Sequence, residues 1–177
     1  MAQMSEIVLL ASIISLILLV SAPSLKAFMT GAPILYSPVR AAEEALVFAR
    51  ARPGEKFIDL GMGNGRTLVV ASDKFGLDVG GYELSPIIFW IAKINLRFRK
   101  IRSARLYLKN FYDQDLSQND IIFCFLTPHA MDKLKIKFEK ELKPGTRVIS
   151  YAFRIKEWRA LEVLDCGLPG KIFIYKI

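Results

Sequence analysis

One histidine and two cysteines in 177 residues leave too few ligands for a Cys/His zinc set, and no metal site is expected. Cys124 and Cys166 are far apart, and both read as buried thiols of a reducing compartment. No G-K-[ST] sequence occurs, which excludes a nucleoside-triphosphate P-loop. Eight prolines and eleven glycines exclude collagen-like and low-complexity classes. A hydrophobic fraction of 53% excludes disorder as the dominant state. Charge is also missing, but only locally: Ile7 to Leu25 are 19 residues without a charged side chain.

What is present divides the same way. Length allows one ordinary domain. The first 25 residues hold a single charge, Glu6, which leaves 25 basic against 16 acidic side chains on the rest. Three readings compete for the uncharged stretch. A cleaved signal peptide needs a basic n-region, and Met1–Ile7 has no Lys or Arg. A core helix is rarely so uniformly aliphatic. An uncleaved membrane anchor fits, because a bilayer core takes roughly 17–25 apolar residues as a helix. Lys26 and Arg40 follow the stretch and only Glu6 precedes it, so the C-terminal part is expected on the cytoplasmic (or matrix-equivalent) side of a single-pass protein. The expected organisation is an anchor at 1–25, a linker and helix at 26–52, and a ligand-binding domain at 53–177.

Gly31 and Pro33 break the linker. Ser37 and Pro38 read as N-cap and first residue of a helix running to about Arg52, with Val39, Ala42, Leu46 and Val47 inward. Strands then alternate with helices: strand Lys56–Leu60, helix Arg66–Phe75, strand Asp78–Glu83, and helix Pro86–Lys100 with an apolar stripe of Ile87, Ile91, Ile94 and Phe98. Further strands are expected at Ala104–Leu108, Asp120–Leu126 and Thr146–Phe153, with an amphipathic helix at Pro128–Leu142. Leu161–Leu164 and Lys171–Tyr175 read as a closing hairpin. This pattern predicts an α/β fold, a mostly parallel sheet covered by helices on both faces with an antiparallel end.

The chemistry lies where the first strand meets its helix, in Asp59-Leu60-Gly61-Met62-Gly63-Asn64-Gly65-Arg66. Glycines there let the backbone turn tightly against a ligand, and the helix N-terminus presents free N–H groups. A dinucleotide fingerprint, G-x-G-x-x-G, would need glycine where Arg66 stands. Eighteen residues after Gly65, at the end of the second strand, Glu83 is placed to accept both hydroxyls of a ribose.

The combination resembles the S-adenosylmethionine site of the Rossmann-like, seven-strand methyltransferases, over about two-thirds of the chain. Within them it is similar to the small protein-lysine methyltransferases, both the archaeal ones and the membrane-anchored mitochondrial ones that modify the ATP synthase c-subunit and the adenine nucleotide carrier. The stretches that carry this are 32–38, 52–56, 59–66, 81–83 and 142–150. The resemblance implies S-adenosylmethionine as cofactor. It implies that Gly61, Met62, Gly63 and Gly65 line the methionine moiety, with Asp59 ordering the loop or approaching the amino group. By the same resemblance Glu83 takes the ribose, Asn110 and Phe111 meet the adenine, and Tyr36 closes over the cofactor. Phe125 and Thr127 would border the acceptor pocket. Asn64 and Asn110 stand where the family usually has acids, and Phe125 where related enzymes often have tyrosine.

A lysine nucleophile must be neutral, and an apolar aromatic channel lowers its pKa by desolvation. Tyr36, Phe125 and Tyr151 are candidates to line one, each against a competing reading as ordinary core. His129, after Pro128, reads as a helix-start residue rather than a base. Between Glu83 and Asp113 lie Lys93, Arg97, Arg99, Lys100, Arg102, Arg105 and Lys109 with no acid. This run is read as a solvated helix face, as attraction to anionic lipid, or as an RNA contact; beside an anchor the lipid reading is favoured. The fourth strand ends in Phe123-Cys124-Phe125-Leu126-Thr127-Pro128, without the [DNS]-P-P-[YFW] of nucleic-acid base methyltransferases. A membrane-associated protein is therefore the expected acceptor, with a lipid or small molecule, or a non-catalytic module of the same fold, as alternatives.

Overall fold

A computed structural model describes residues 6–15 and 37–177 apart from 166 and 168. Residues 6–15 are helical (α1), and the apolar side chains Ile7, Val8, Leu9, Leu10, Ile13 and Ile14 in it are exposed. The expected anchor and Tyr36 lie partly or wholly outside the described residues, as does Cys166. Among the described residues no helix is long and apolar enough to cross a membrane.

The remaining elements run α2 (Val39–Phe48), β1 (Lys56–Leu60), α3 (Arg66–Phe75), β2 (Asp78–Glu83), α4 (Pro86–Phe98), β3 (Arg105–Leu108), a 3₁₀ turn (Phe111–Asp113), β4 (Ile121–Cys124), α5 (Pro128–Glu141), β5 (Arg147–Tyr151), β6 (Glu162–Leu164) and β7 (Ile172–Lys176). The seven strands form one sheet in the order β3-β2-β1-β4-β5-β7-β6. All pairs are parallel except β7, which runs antiparallel to both β5 and β6. This is the Rossmann-like methyltransferase sheet with its antiparallel end. Because the parallel strands are covered on both faces they are apolar nearly throughout: β4 is buried at all four positions.

Alternation along the strands separates two cores. Phe57, Val79, Phe123 and Ile149 face α2, α3 and α4, whereas Ile58, Leu60, Ile122, Cys124 and Val148 face α5 and the C-terminal segment. Burial pushes the Cys124 thiol well above its ordinary range, so it stays protonated.

α2 buries Ala42 and Leu46 of its expected face but not Val39 and Val47, and α4 buries none of its expected stripe. In α2 the buried residues are Ala41, Ala42, Ala45 and Leu46, while Val39 and Val47 are exposed. In α4 the expected stripe points outward. Ile87, Ile91, Ile94 and Phe98 are 46%, 43%, 53% and 82% exposed, and Ile88, Ala92 and Leu96 are buried instead. In both helices the inward row carries alanines, which permit closer approach to the neighbouring chain. A Cβ built at Gly65 would lie 2.7 Å from Leu96 Cδ1 and 3.5 Å from Ala92 Cβ, so α4 packs directly on that glycine.

Element ends also shift. Pro38 rather than Ser37 occupies the N-cap of α2, which ends at Phe48, and Ser37 is buried. α4 ends at Phe98, and β3, β4 and β5 are each shorter than expected. The 3₁₀ turn was not legible in the sequence; Asn110 nucleates it by accepting from Tyr112 N at 3.1 Å.

Candidate active site

Asp59 is the fourth residue of β1 and points toward α3, where the Thr67 hydroxyl donates to its Oδ2. The carboxyl is 3% exposed. Burial raises its pKa from 3.8 to about 7; the Thr67 hydrogen bond pulls it back and the Glu83 charge pushes it further up.

The chain after β1 turns through Gly61, Gly63 and Gly65 at φ 87°, 55° and 77°, the left-handed region that an L side chain enters only with strain. Gly61 N and Met62 N donate to Tyr82 O at 3.0 and 2.9 Å, and Gly65 N to Met62 O at 2.9 Å, so the loop is tied to β2. Its close seat on β2 depends on Gly81, where a Cβ would fall 2.6 Å from Met62 Sδ. Asn64 precedes Gly65, the N-cap of α3, and its Oδ1 accepts from Arg66 N at 3.4 Å and Arg66 Nε at 3.1 Å. On the far side Asn95 of α4 donates from Nδ2 to Asn64 O at 2.9 Å. Asn95 escaped the sequence reading; its signal was an uncharged amide between the apolar rows of α4.

Glu83 closes the other side. Its Oε2 accepts from Gly63 N at 3.2 Å, and Oε1 from Leu84 N and Ser85 N at 2.8 and 2.9 Å. Burial raises its pKa, and these backbone donors oppose the rise. Two partly or wholly buried carboxylates therefore flank a loop of exposed backbone at the C-terminal ends of β1 and β2, the crevice where open α/β sheets bind ligands.

A narrow cavity at this point is lined by Asp59, Gly61, Met62, Gly63, Asn64 and Thr67, with Ser37 and Phe125 among its other walls. Phe125, half-buried after β4, meets Tyr151 at the end of β5 edge to face, ring centroids 4.8 Å apart. Tyr151 is buried, and the next residue, Ala152, has φ 69°. Thus Asp59, Gly61, Met62, Gly63 and Phe125 are brought together, Glu83 joins them through Gly63, and Tyr151 backs Phe125. Thr127 instead caps α5, accepting from Ala130 N at 3.4 Å. Asn110 and the partly buried Phe111 follow β3, with Phe111 packed on Tyr112. His129 is exposed on the first turn of α5.

The residues fit S-adenosylmethionine on chemical grounds. A buried carboxyl poised near neutrality suits a cationic group, a second carboxylate suits a diol, and the glycine loop admits the ligand to backbone distance. The fold and this crevice define a Rossmann-like methyltransferase, with S-adenosylmethionine as methyl donor.

The chain belongs to the family of the ANTKMT methyltransferase domain, which it matches over residues 59–162. A protein-lysine N-methyltransferase of Saccharolobus islandicus (strain REY15A) is 30% identical over 150 residues, which are 82% of this chain and 93% of that one. The adenine nucleotide translocase lysine N-methyltransferase of Mus musculus is 32% identical over 147 residues, and the match spans 82% of this chain and 63% of the mouse protein. Among solved structures, an RNA methyltransferase from Salinibacter ruber in complex with S-adenosyl-L-homocysteine superposes with a TM-score of 0.78 at 22% identity, covering 81% of this chain and 94% of that one. That likeness is one of fold.

Proposed function

We propose that the protein transfers a methyl group from S-adenosylmethionine to the ε-amine of a lysine in a membrane-associated protein. The observation that carries this reading is the similarity to the Saccharolobus protein-lysine N-methyltransferase along nearly its whole length, with the glycine loop and both carboxylates in place. When bound, the donor would supply a methyl group on a sulfonium, which a neutral amine would take by in-line displacement, the methyl C–S bond breaking to leave a neutral thioether.

The side chains then divide the work. Asp59, held by Thr67, would face the positive charge of the donor, and Glu83 would accept from the ribose hydroxyls. Met62 and the glycines fix the approach of the methionine end. Asn110 and Phe111 would flank the adenine end; Tyr36, outside the described residues, is assigned to cover the cofactor by the family resemblance alone. Phe125, backed by Tyr151, forms an apolar wall against which a lysine amine loses hydration, favouring its neutral, nucleophilic form. Thr127, the N-cap of α5, follows Phe125 by two residues and would border the acceptor opening there. Alignment of the amine with the methyl group is the main contribution asked of the protein.

Membrane association belongs to the same reading. The uncharged run Ile7–Leu25 would serve as a single-pass anchor, with the catalytic domain on the cytoplasmic side and the basic stretch Lys93–Lys109 toward the lipid headgroups. An acceptor within or beside the bilayer suits the adenine nucleotide translocase named for the mouse relative.

The test is to incubate membranes and the full chain with methyl-labelled S-adenosylmethionine and then to separate protein from lipid. Label in the protein fraction supports the proposal. Label exclusively in lipid makes the protein a lipid methyltransferase, and calorimetric titration showing no cofactor binding would leave a non-catalytic module. Tags at either end, with protease access in intact cells, test the orientation; an externally accessible C-terminus refutes it.

A further inference from the structure

A helix with two apolar faces normally has both covered. The inner face of α4 rests on the sheet side through Ile88, Ala92 and Leu96, but Ile87, Trp90, Ile91, Ile94 and Phe98 form a continuous outer stripe that no described residue covers. Trp90 is 55% exposed and Phe98 82%. Phe98 ends the helix, and the chain continues through Arg99, Lys100 and Arg102, all exposed. Lys93 and Arg97 are exposed on one flank of the stripe, and Lys93 Nζ stands 4.6 Å over the Trp90 ring. No acid interrupts this surface between Glu83 and Asp113; Arg105 is already paired with Asp78 at 2.7 Å.

We infer that α4 lies in the plane of an anionic bilayer, with the Ile87–Phe98 stripe entering the headgroup–acyl boundary and Lys93, Arg97, Arg99, Lys100 and Arg102 contacting lipid phosphates. Charge complementarity chooses the occupant. A protein groove would suit the apolar stripe alone, whereas a stripe with an indole and phenyl ring, bordered by five exposed cations that form no ion pair among the described residues (Asp73 lines the same hollow as Arg99), has the composition of an interfacial helix. The consequence is positional. Asn95 of the same helix holds the Asn64 carbonyl, and Leu96 packs on Gly65, so docking α4 brings the cofactor loop to the membrane surface. This deepens the membrane reading above by giving the catalytic domain its own contact, separate from Ile7–Leu25.

The chain has two tryptophans, and Trp158 is held against Phe138 and Tyr175. The full chain carrying Trp158→Phe therefore reports on Trp90 alone. It is added to vesicles of phosphatidylcholine with or without phosphatidylglycerol, and Trp90 is probed by acrylamide from water and by acyl-brominated lipid from the bilayer. In phosphatidylglycerol vesicles bromolipid should quench Trp90 and acrylamide quenching should fall, with half of the change reached at about a hundredfold less lipid than in phosphatidylcholine, the factor expected for about three cations near the surface at about 1 kcal/mol each. Ile94→Asp, or Arg97→Glu with Arg102→Glu, should abolish both changes while cofactor affinity is unaltered. Sedimentation of the same samples reads the anchor separately. A chain that pellets with vesicles while Trp90 stays open to acrylamide keeps the anchor and overturns the inference for α4; a chain that does not pellet overturns both. Trp90 already shielded without lipid also overturns it, pointing to a second copy if concentration-dependent and to the chain's own N-terminal segment if not. Quenching released by RNA rather than by salt and anionic lipid would assign the surface to nucleic acid and likewise refute the inference.

Discussion

Replacing Asp59 by asparagine is the most revealing single change, because the wild-type carboxyl is held near neutrality by its surroundings. Moving its pKa from 3.8 to about 7 means that ionising it inside the fold costs about 4 kcal/mol more than in water. Burial dominates, so this is a property of the protein without ligand. Between about pH 4 and pH 7 the folded state holds a proton that the unfolded chain has released, and stability therefore falls as pH rises through this window. A cationic ligand reverses the balance by favouring the carboxylate. Cofactor affinity should then rise about tenfold per pH unit up to about pH 7 and level off above it, with close to one proton released per cofactor bound below that point. Asp59→Asn should bind more weakly, show no such slope and release no proton; Thr67→Val, which removes the hydrogen bond lowering the pKa, should move the midpoint upward. Calorimetry in buffers of different ionisation enthalpy measures all of this. Proton release that is absent in the wild type, or that persists unchanged in Asp59→Asn, would refute the role given to this carboxyl.

Other changes test the rest of the site. Glu83→Ala removes the acceptor that now takes three backbone N–H groups, and cofactor affinity should fall by about 2–3 kcal/mol in calorimetric titration, with an intact circular dichroism spectrum. Gly81→Ala forces a methyl group against Met62 and should destabilise the protein by roughly 1–3 kcal/mol in urea unfolding, with looser cofactor binding because the loop itself moves. Ala152→Gly relieves a left-handed alanine beside Tyr151 and should raise stability by roughly 0.5–1 kcal/mol in the same assay.

The elements and the cofactor loop were legible in the sequence for a local reason. Strand, glycine turn, helix start and acidic strand end lie within 25 residues, from Asp59 to Glu83, so spacing alone carries their arrangement. The facing of α4 was not legible in this way. Its residues form two apolar rows, Ile87/Ile91/Ile94/Phe98 and Ile88/Ala92/Leu96, and periodicity favours the bulkier one. Packing chose the other, because only a row containing Ala92 lets the helix reach Gly65. The same preference for close approach turned the alanines of α2 inward and left Val39 and Val47 outside. Asn110 and Thr127 were singled out by position along the chain, and the fold also uses both as caps. Asn95 acts across 31 residues of sequence, a separation at which no local pattern speaks.

The central claim, lysine methylation of a membrane-associated protein, is tested most directly by the chemistry of the product. Membrane protein labelled by the full chain from methyl-labelled S-adenosylmethionine is hydrolysed to amino acids and the labelled species identified. Label is expected in ε-N-methylated lysine, reduced in parallel with cofactor affinity by Glu83→Ala. Label in another amino acid, or membrane protein left unlabelled by a chain that binds the cofactor, would contradict it.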